Sequence, residues 1–189
     1  MSWISPVEPE QAGAELKPVY ERIAAQSASG RVSNLWRAWG GDPPGLATLH
    51  AHYRAVMGDS SPLTAAQAEM IVVVVSATNG CGYCVAHHGH RLARLVGFEL
   101  ARSVALDYRE TNLAARDRVL LDAAVALTCE PAERTRSDVE RVREYGFDDR
   151  AILKATEVAA LYNLVNRMVS ALGVPLEDGL DPWEFGAQR

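Results

Sequence analysis

At 189 residues, with 48% apolar and 23% charged side chains, the chain has the composition of an ordinary globular protein large enough for one substantial core. A formal net charge of −5 leaves no basic surface for a phosphate backbone, which argues against nucleic-acid binding. The longest apolar run, from Met70 to Val75, is far shorter than the ~20 residues of a membrane span. Near Met1 there is neither the basic region nor the apolar stretch of a secretory leader, so the expected location is the cytoplasm.

Helix signals follow one another along the chain, and hairpin signals are nearly absent. A first helix reads from about Glu15 to Gln26 and ends in the break Ser27-Ala28-Ser29-Gly30. Asp42 caps a second that opens on Pro43 and Pro44, where a missing N–H costs nothing. Leu46, Leu49, Tyr53 and Val56 mark its buried face, and Gly58 ends it. Thr64 and Gln67 have the spacing of a capping box for the next helix. That helix carries Glu69 and the run Ile71-Val72-Val73-Val74-Val75. Consecutive valines favour a strand, but the cap ahead of them and the lack of a partner strand predict a central helix buried on every side.

After the break Asn79-Gly80, a helix restarts at the cysteines and runs to Val96, with Gly97 placed for a left-handed cap. Leu113 to Thr128 is amphipathic through Leu120, Leu121, Ala124, Val125 and Leu127. Ser137 and Glu140 read as another capping box, closed by Gly146. Asp148 caps a long helix to Leu172, stopped by Gly173 and Pro175. The tail from Glu177 to Arg189 is polar, with Trp183 and Phe185 as anchors. The expected fold is therefore all-α, a helical bundle in one domain over 1–189. Its chemistry lies within about 42–97, and a second helical part covers about 113–174. A weak echo pairs residues 91–97 with 167–173, as two similar helical halves would, with Cys84 opposite Ala160 and His88 opposite Leu164.

Three cysteines, Cys81, Cys84 and Cys129, argue against a structural disulfide framework in an unexported chain. Cys81-Gly82-Tyr83-Cys84 reads instead as redox or metal chemistry. On a helix, Cys81, Cys84 and His88 share one face. A helix N-terminus favours thiolate over thiol, so Cys81 and Cys84 sit where ionisation is eased. His88 is placed to take the Cys84 proton directly or through a water, and Glu69 to orient the imidazole or relay the proton. Each residue also has a plainer role. Glu69 suits a salt bridge, His87, His88 and His90 suit an exposed helix face, and Cys129 suits a small buried apolar position. Zinc on Cys81, Cys84 and one or two of those histidines is a further option. Against it, all the ligands crowd one helix and no second Cys/His pair follows. A thioredoxin motif would need a βαβ setting that this chain lacks.

The order Glu69, Cys81, Cys84, His88, spaced Glu-x11-Cys-x2-Cys-x3-His, resembles the motif of the AhpD-like alkylhydroperoxidases of the carboxymuconolactone decarboxylase superfamily. The stretch from Ser76 to His88 is similar to the subgroup of uncharacterised peroxidase-related proteins, and the similarity extends from about Val7 to Val174. The resemblance implies an all-α fold, homo-oligomeric association and reduction of hydroperoxides. Carried across, Cys84 is the peroxidatic thiolate, oxidised to a sulfenic acid. Cys81 donates a proton and then resolves the sulfenic acid into a Cys81–Cys84 disulfide, and His88 with Glu69 forms the proton relay. An external dithiol, on a lipoyl-bearing or thioredoxin-like partner, would reset the pair, and no cofactor is expected. Two alternatives stay open: a decarboxylase-like enzyme on the same scaffold, which would not need the cysteine pair, and a metal- or redox-sensing module. The chain departs from the AhpD pattern at Tyr83, where a histidine is usual. A phenol titrating near ~10 is a poor base at neutral pH, and His87, one turn from Cys84, is the expected stand-in.

Overall fold

A computed structural model describes residues 2–58 and 61–188; Met1, Asp59, Ser60 and Arg189, and with them the two ends of the sequence reading, fall outside it. Among the described residues there are nine α-helices and no strand. In chain order they are α1 (Lys17–Gln26), α2 (Asn34–Ala38), α3 (Pro43–Met57), α4 (Ala65–Thr78), α5 (Gly82–Val96), α6 (Phe98–Asp107), α7 (Ala115–Cys129), α8 (Arg136–Glu144) and α9 (Asp149–Leu172).

The bundle is organised around α4, which packs against α5, α6, α7 and α9. Ile71 to Val75 are wholly inaccessible to solvent. Burying a Val or Ile side chain is worth roughly 1.5–3 kcal/mol, whereas the strand preference at stake spans only about 1 kcal/mol over its whole scale. Five such residues in a row can be buried together only if neighbours surround them, and four helices do so. The capping box is formed as expected: Gln67 N–H donates to Thr64 Oγ1 (3.1 Å), and Thr64 N–H donates to Gln67 Oε1 (3.0 Å). Asp42 and Asp148 likewise accept from Gly45 N–H (3.2 Å) and Ala151 N–H (2.8 Å). Gly173, at φ 58° and ψ 42°, supplies the left-handed stop after α9.

Several local expectations are corrected. Gly97 does cap α5, its N–H donating to Ala93 O (2.9 Å), but at φ 90° and ψ 154° its backbone is not left-handed helical. Its positive φ swings the chain directly from α5 into α6, a helix the sequence reading passed over. The signal was legible, since Ala101, Val104, Ala105 and Tyr108 recur at helical spacing and are all wholly buried. The short α2 was also passed over. Helix α8 opens at Arg136 rather than after Ser137, because Thr135 holds the extended backbone of an N-cap (φ −127°, ψ 168°) and its N–H donates to Asp138 Oδ2 (2.7 Å). Ser137 already lies inside the helix, and Glu140 accepts instead from Arg143 (2.6 Å). Cys129 is exposed, not buried: it is the last residue of α7 and falls just past the face that buries Leu121, Val125 and Thr128.

The tail beyond α9 straps the outer side of α5. Trp183 stacks edge-on against His90 (5.3 Å) and Phe98 (5.4 Å). The Gln188 side chain is buried and donates to the carbonyls of Ala105 (2.8 Å) and Leu106 (3.1 Å). Trp183 thus anchors the tail, joined by a partly buried Phe185.

Candidate active site

The turn between α4 and α5 places the two cysteines. Gly80 takes φ 70°, a conformation that favours glycine. Cys81 N–H then donates to Ser76 O (2.9 Å), and Val85 N–H donates to Cys81 O (3.0 Å) as the first hydrogen bond of α5. Cys81 is consequently the N-cap of α5 and Cys84 lies in its first turn. Both thiols are free and only 2% exposed.

Amides and a hydroxyl surround the sulfurs. The Asn166 carboxamide, from α9, eases the ionisation of both thiols, and the Ser76 hydroxyl that of Cys84. Asn166 Nδ2 also donates to Ser76 Oγ (3.0 Å), while Asn79 Nδ2 donates to Asn166 Oδ1 and to Asn163 Oδ1 (both 3.0 Å). Within the pair, the hydrogen bond from Cys84 lowers the Cys81 thiol, helped by backbone N–H groups at the start of α5. The Cys84 thiol is raised well above its ordinary range by that same bond and by burial. The eased ionisation expected at this helix start therefore falls on Cys81, with Cys84 S–H donating to it.

Glu69, brought alongside by α4, accepts from His88 Nδ1–H (2.6 Å). Burial alone would raise Glu69, but the hydrogen bond from His88, the charge that ring carries once protonated, and the charges of Arg91 and Arg94 outweigh it and hold the carboxyl below its usual range. Burial lowers His88 despite the opposing pull of Glu69, so the imidazole rests neutral beside a carboxylate. The other ring nitrogen, Nε2, faces the Tyr162 hydroxyl at 2.8 Å, and the two rings meet edge-on at 4.8 Å. His88 therefore touches neither thiol through a free nitrogen, contrary to the direct transfer read from the sequence.

Tyr83 and His87 belong to a different network. Tyr83 O–H donates to Glu177 Oε1 (2.8 Å) and accepts from Leu35 N–H (3.2 Å). Burial and the Glu177 charge raise Tyr83 well above its ordinary range, so it stays protonated and does no base chemistry. His87 Nε2 pairs with Glu177 Oε2 at 2.6 Å, and its ring stacks on Tyr83 at 4.5 Å. His87 is thus turned to the tail instead of standing in beside Cys84. His90 faces the tail as well, through the Asp181 carbonyl (3.2 Å). With its histidines divided in this way, the helix offers no converging ligand set. Among the described residues, no three His, Cys, Asp or Glu side chains are grouped to hold a metal.

An open cleft of about 460 Å³ lies over Asn166, lined also by Asn79, Arg167, Ser170 and Ala171. Four residues of this site were given no role from the sequence, Ser76, Tyr162, Asn166 and Glu177, although the first three lie in stretches that carry the resemblance. Tyr162 and Asn166 left a trace, being polar groups one turn apart within the apolar stripe Val158, Leu161, Val165 and Val169. Glu177 left none, because only the return of the tail brings it to α5.

Residues 43–97, which include Glu69, both site cysteines and His88, match the model of the carboxymuconolactone decarboxylase family. An uncharacterised peroxidase-related protein from Silicibacter sp. TM1040 is 31% identical in sequence, with a TM-score of 0.80 over 94% of this chain and 90% of its own. An AhpD-core peroxidase-related protein from Ralstonia eutropha JMP134 is 28% identical, with a TM-score of 0.83 over 95% and 94%. The debrominase Bmp8, solved with 2,3,4-tribromopyrrole, shares the fold at 17% identity, with a TM-score of 0.77 over 94% and 95%. No curated protein matches the chain.

Proposed function

The chain belongs to the AhpD-like, peroxidase-related branch of the carboxymuconolactone decarboxylase superfamily, and on that premise we propose that it is a thiol-dependent peroxidase that reduces hydroperoxides at Cys84 and Cys81. The observation that carries this reading is a buried dithiol held in an amide cradle next to a Glu69–His88 pair. A dithiol that merely packed a core would need neither polar partners on both sulfurs nor a proton acceptor at hand.

The pair gives up one proton to the relay and shares the other. With the shared proton on Cys81, the Cys84 thiolate attacks the terminal oxygen of the hydroperoxide. An S–O bond forms, the O–O bond breaks, and the electron pair leaves on the alkoxide, which takes the Cys81 proton to become an alcohol. The Cys81 thiolate then attacks the Cys84 sulfenic acid. An S–S bond forms, the S–O bond breaks, and the departing hydroxide takes the relay proton to become water. Sulfur is oxidised and peroxide reduced. An external dithiol, on a lipoyl-bearing or thioredoxin-like partner, resets the disulfide by exchange. Association into homo-oligomers belongs to the same reading.

The test is intact-mass analysis after one equivalent of cumene hydroperoxide, with remaining thiols alkylated and exposed Cys129 replaced by serine. A Cys81–Cys84 disulfide is expected in the otherwise unaltered protein. A Cys81→Ser protein should stall as a Cys84 sulfenic acid, and a Cys84→Ser protein should not react productively. Both thiols remaining reduced would sink the peroxidase reading. A sulfenic acid found on Cys81 would exchange the two roles.

A further inference from the structure

We infer that Tyr162 is the proton conduit between the dithiol and His88, so that the working relay is dithiol, Tyr162, His88, Glu69 rather than a thiol in direct contact with an imidazole. The inference rests on the peroxidase reading and deepens it. Its geometric basis is the use of both ring nitrogens of His88. Nδ1 lies 2.6 Å from a carboxylate that can only accept, so Nδ1 carries the proton. Nε2 is then a bare lone pair, and the phenol 2.8 Å away must be its donor. No nitrogen is left for a thiol. Tyr162 also stands on α9 one turn before Asn166, the residue whose amide eases the ionisation of both thiols, so the two side chains share one face of α9. Cys84 lies within the electrostatic reach of the phenol.

A phenol in this position needs no ionisation of its own. As the thiol proton arrives at Oη, the phenolic proton moves to Nε2, and the resulting imidazolium is balanced by Glu69. The return runs in reverse: Nε2–H donates to Oη while the phenolic proton passes to the departing oxygen. Tyr162 ends each cycle as it began. The groups around it are Glu69 from α4, Tyr53 from α3, Arg91 and Cys84 from α5, and, around His88, His87 on the same helix. Arg91 is committed to the Tyr53 hydroxyl (2.9 Å) and keeps its charge throughout. Glu69 and His88 are then the groups whose protonation sets the window.

Tyr162→Phe removes one oxygen and nothing else. Thiol oxidation by cumene hydroperoxide should slow about a hundredfold at neutral pH, in the range that general acid–base groups contribute. The deficit should shrink as the pH rises and solvent hydroxide takes over proton removal. In the Tyr162→Phe/His88→Asn double variant the rate should be no lower than in the slower single variant, as for residues acting in one chain. A Tyr162→Phe rate within twofold of the unaltered protein across the pH range overturns the conduit while the peroxidase reading stands. An unaltered protein that the hydroperoxide does not oxidise overturns that reading, and the conduit with it. Nitrogen-15 spectra of the unaltered, reduced protein provide a check that does not depend on any variant folding. They should show His88 protonated at Nδ1 and accepting at Nε2; the opposite tautomer overturns the conduit.

Discussion

Glu177→Gln tests the tail network most directly. In the native chain the Glu177 carboxylate accepts from Asn34 N–H (2.8 Å), Tyr83 O–H (2.8 Å) and His87 Nε2 (2.6 Å). Burial would raise it, but the hydrogen bond and charge of His87, with the hydrogen bonds from Asn34 and Tyr83, lower it from 4.5 to about 2. A depression of that size corresponds to roughly 3 kcal/mol of preference for the ionised form. About a quarter of the side chain is open to water, and screening there reduces the usable part to about 1–2 kcal/mol. Because the folded value is depressed, this stability is fully present above about 4.5 and lost as the pH falls toward about 2. The amide still offers an acceptor to Asn34 or Tyr83, so the variant isolates the charge. Thermal unfolding followed by circular dichroism at neutral pH should show a Tm lower by about 3–6 °C. The difference should close as the pH is lowered through the carboxylate range. Equal Tm values at neutral pH, or a gap as large at pH ~2.5 as at neutral pH, would refute the argument.

Two further outcomes are expected. A Cβ built on Gly89 would meet the Trp183 indole at 2.6 Å, so Gly89→Ala should push the tail off α5 at a cost of about 1–3 kcal/mol. A glutamyl endopeptidase would then cut after Glu184 faster than in the unaltered protein, and unchanged resistance would contradict this packing. Asp148→Ala removes the cap of α9 and should cost about 1 kcal/mol. Ser137→Ala, inside α8, should stay within ±0.5 kcal/mol; equal losses in chemical denaturation would put the start of α8 back at Ser137.

What the sequence determined by itself was whatever depends on near neighbours. The capping residues Asp42, Thr64 and Asp148 act within three residues of their targets, and the apolar run of α4 declares its own burial. Cys84 and His88 stand one turn apart on α5 and Cys81 caps its start, so their spacing alone put them at one end of one helix. Local pattern also misled where two readings overlapped, as at Thr135 and Ser137, since only the backbone angle of Thr135 chooses between them. The tertiary structure decided everything that joins distant segments. Tyr162 reaches His88 and Asn166 reaches Ser76 because α9 packs against α4, and Glu177 reaches Tyr83 and His87 because the tail returns to α5. It also decided which thiol ionises first. Both cysteines lie at the start of one helix, but burial and the direction of the hydrogen bond between them favour the thiolate on Cys81. Hydrogen-bond direction and desolvation depend on what packs over a residue, and that is set by the whole chain.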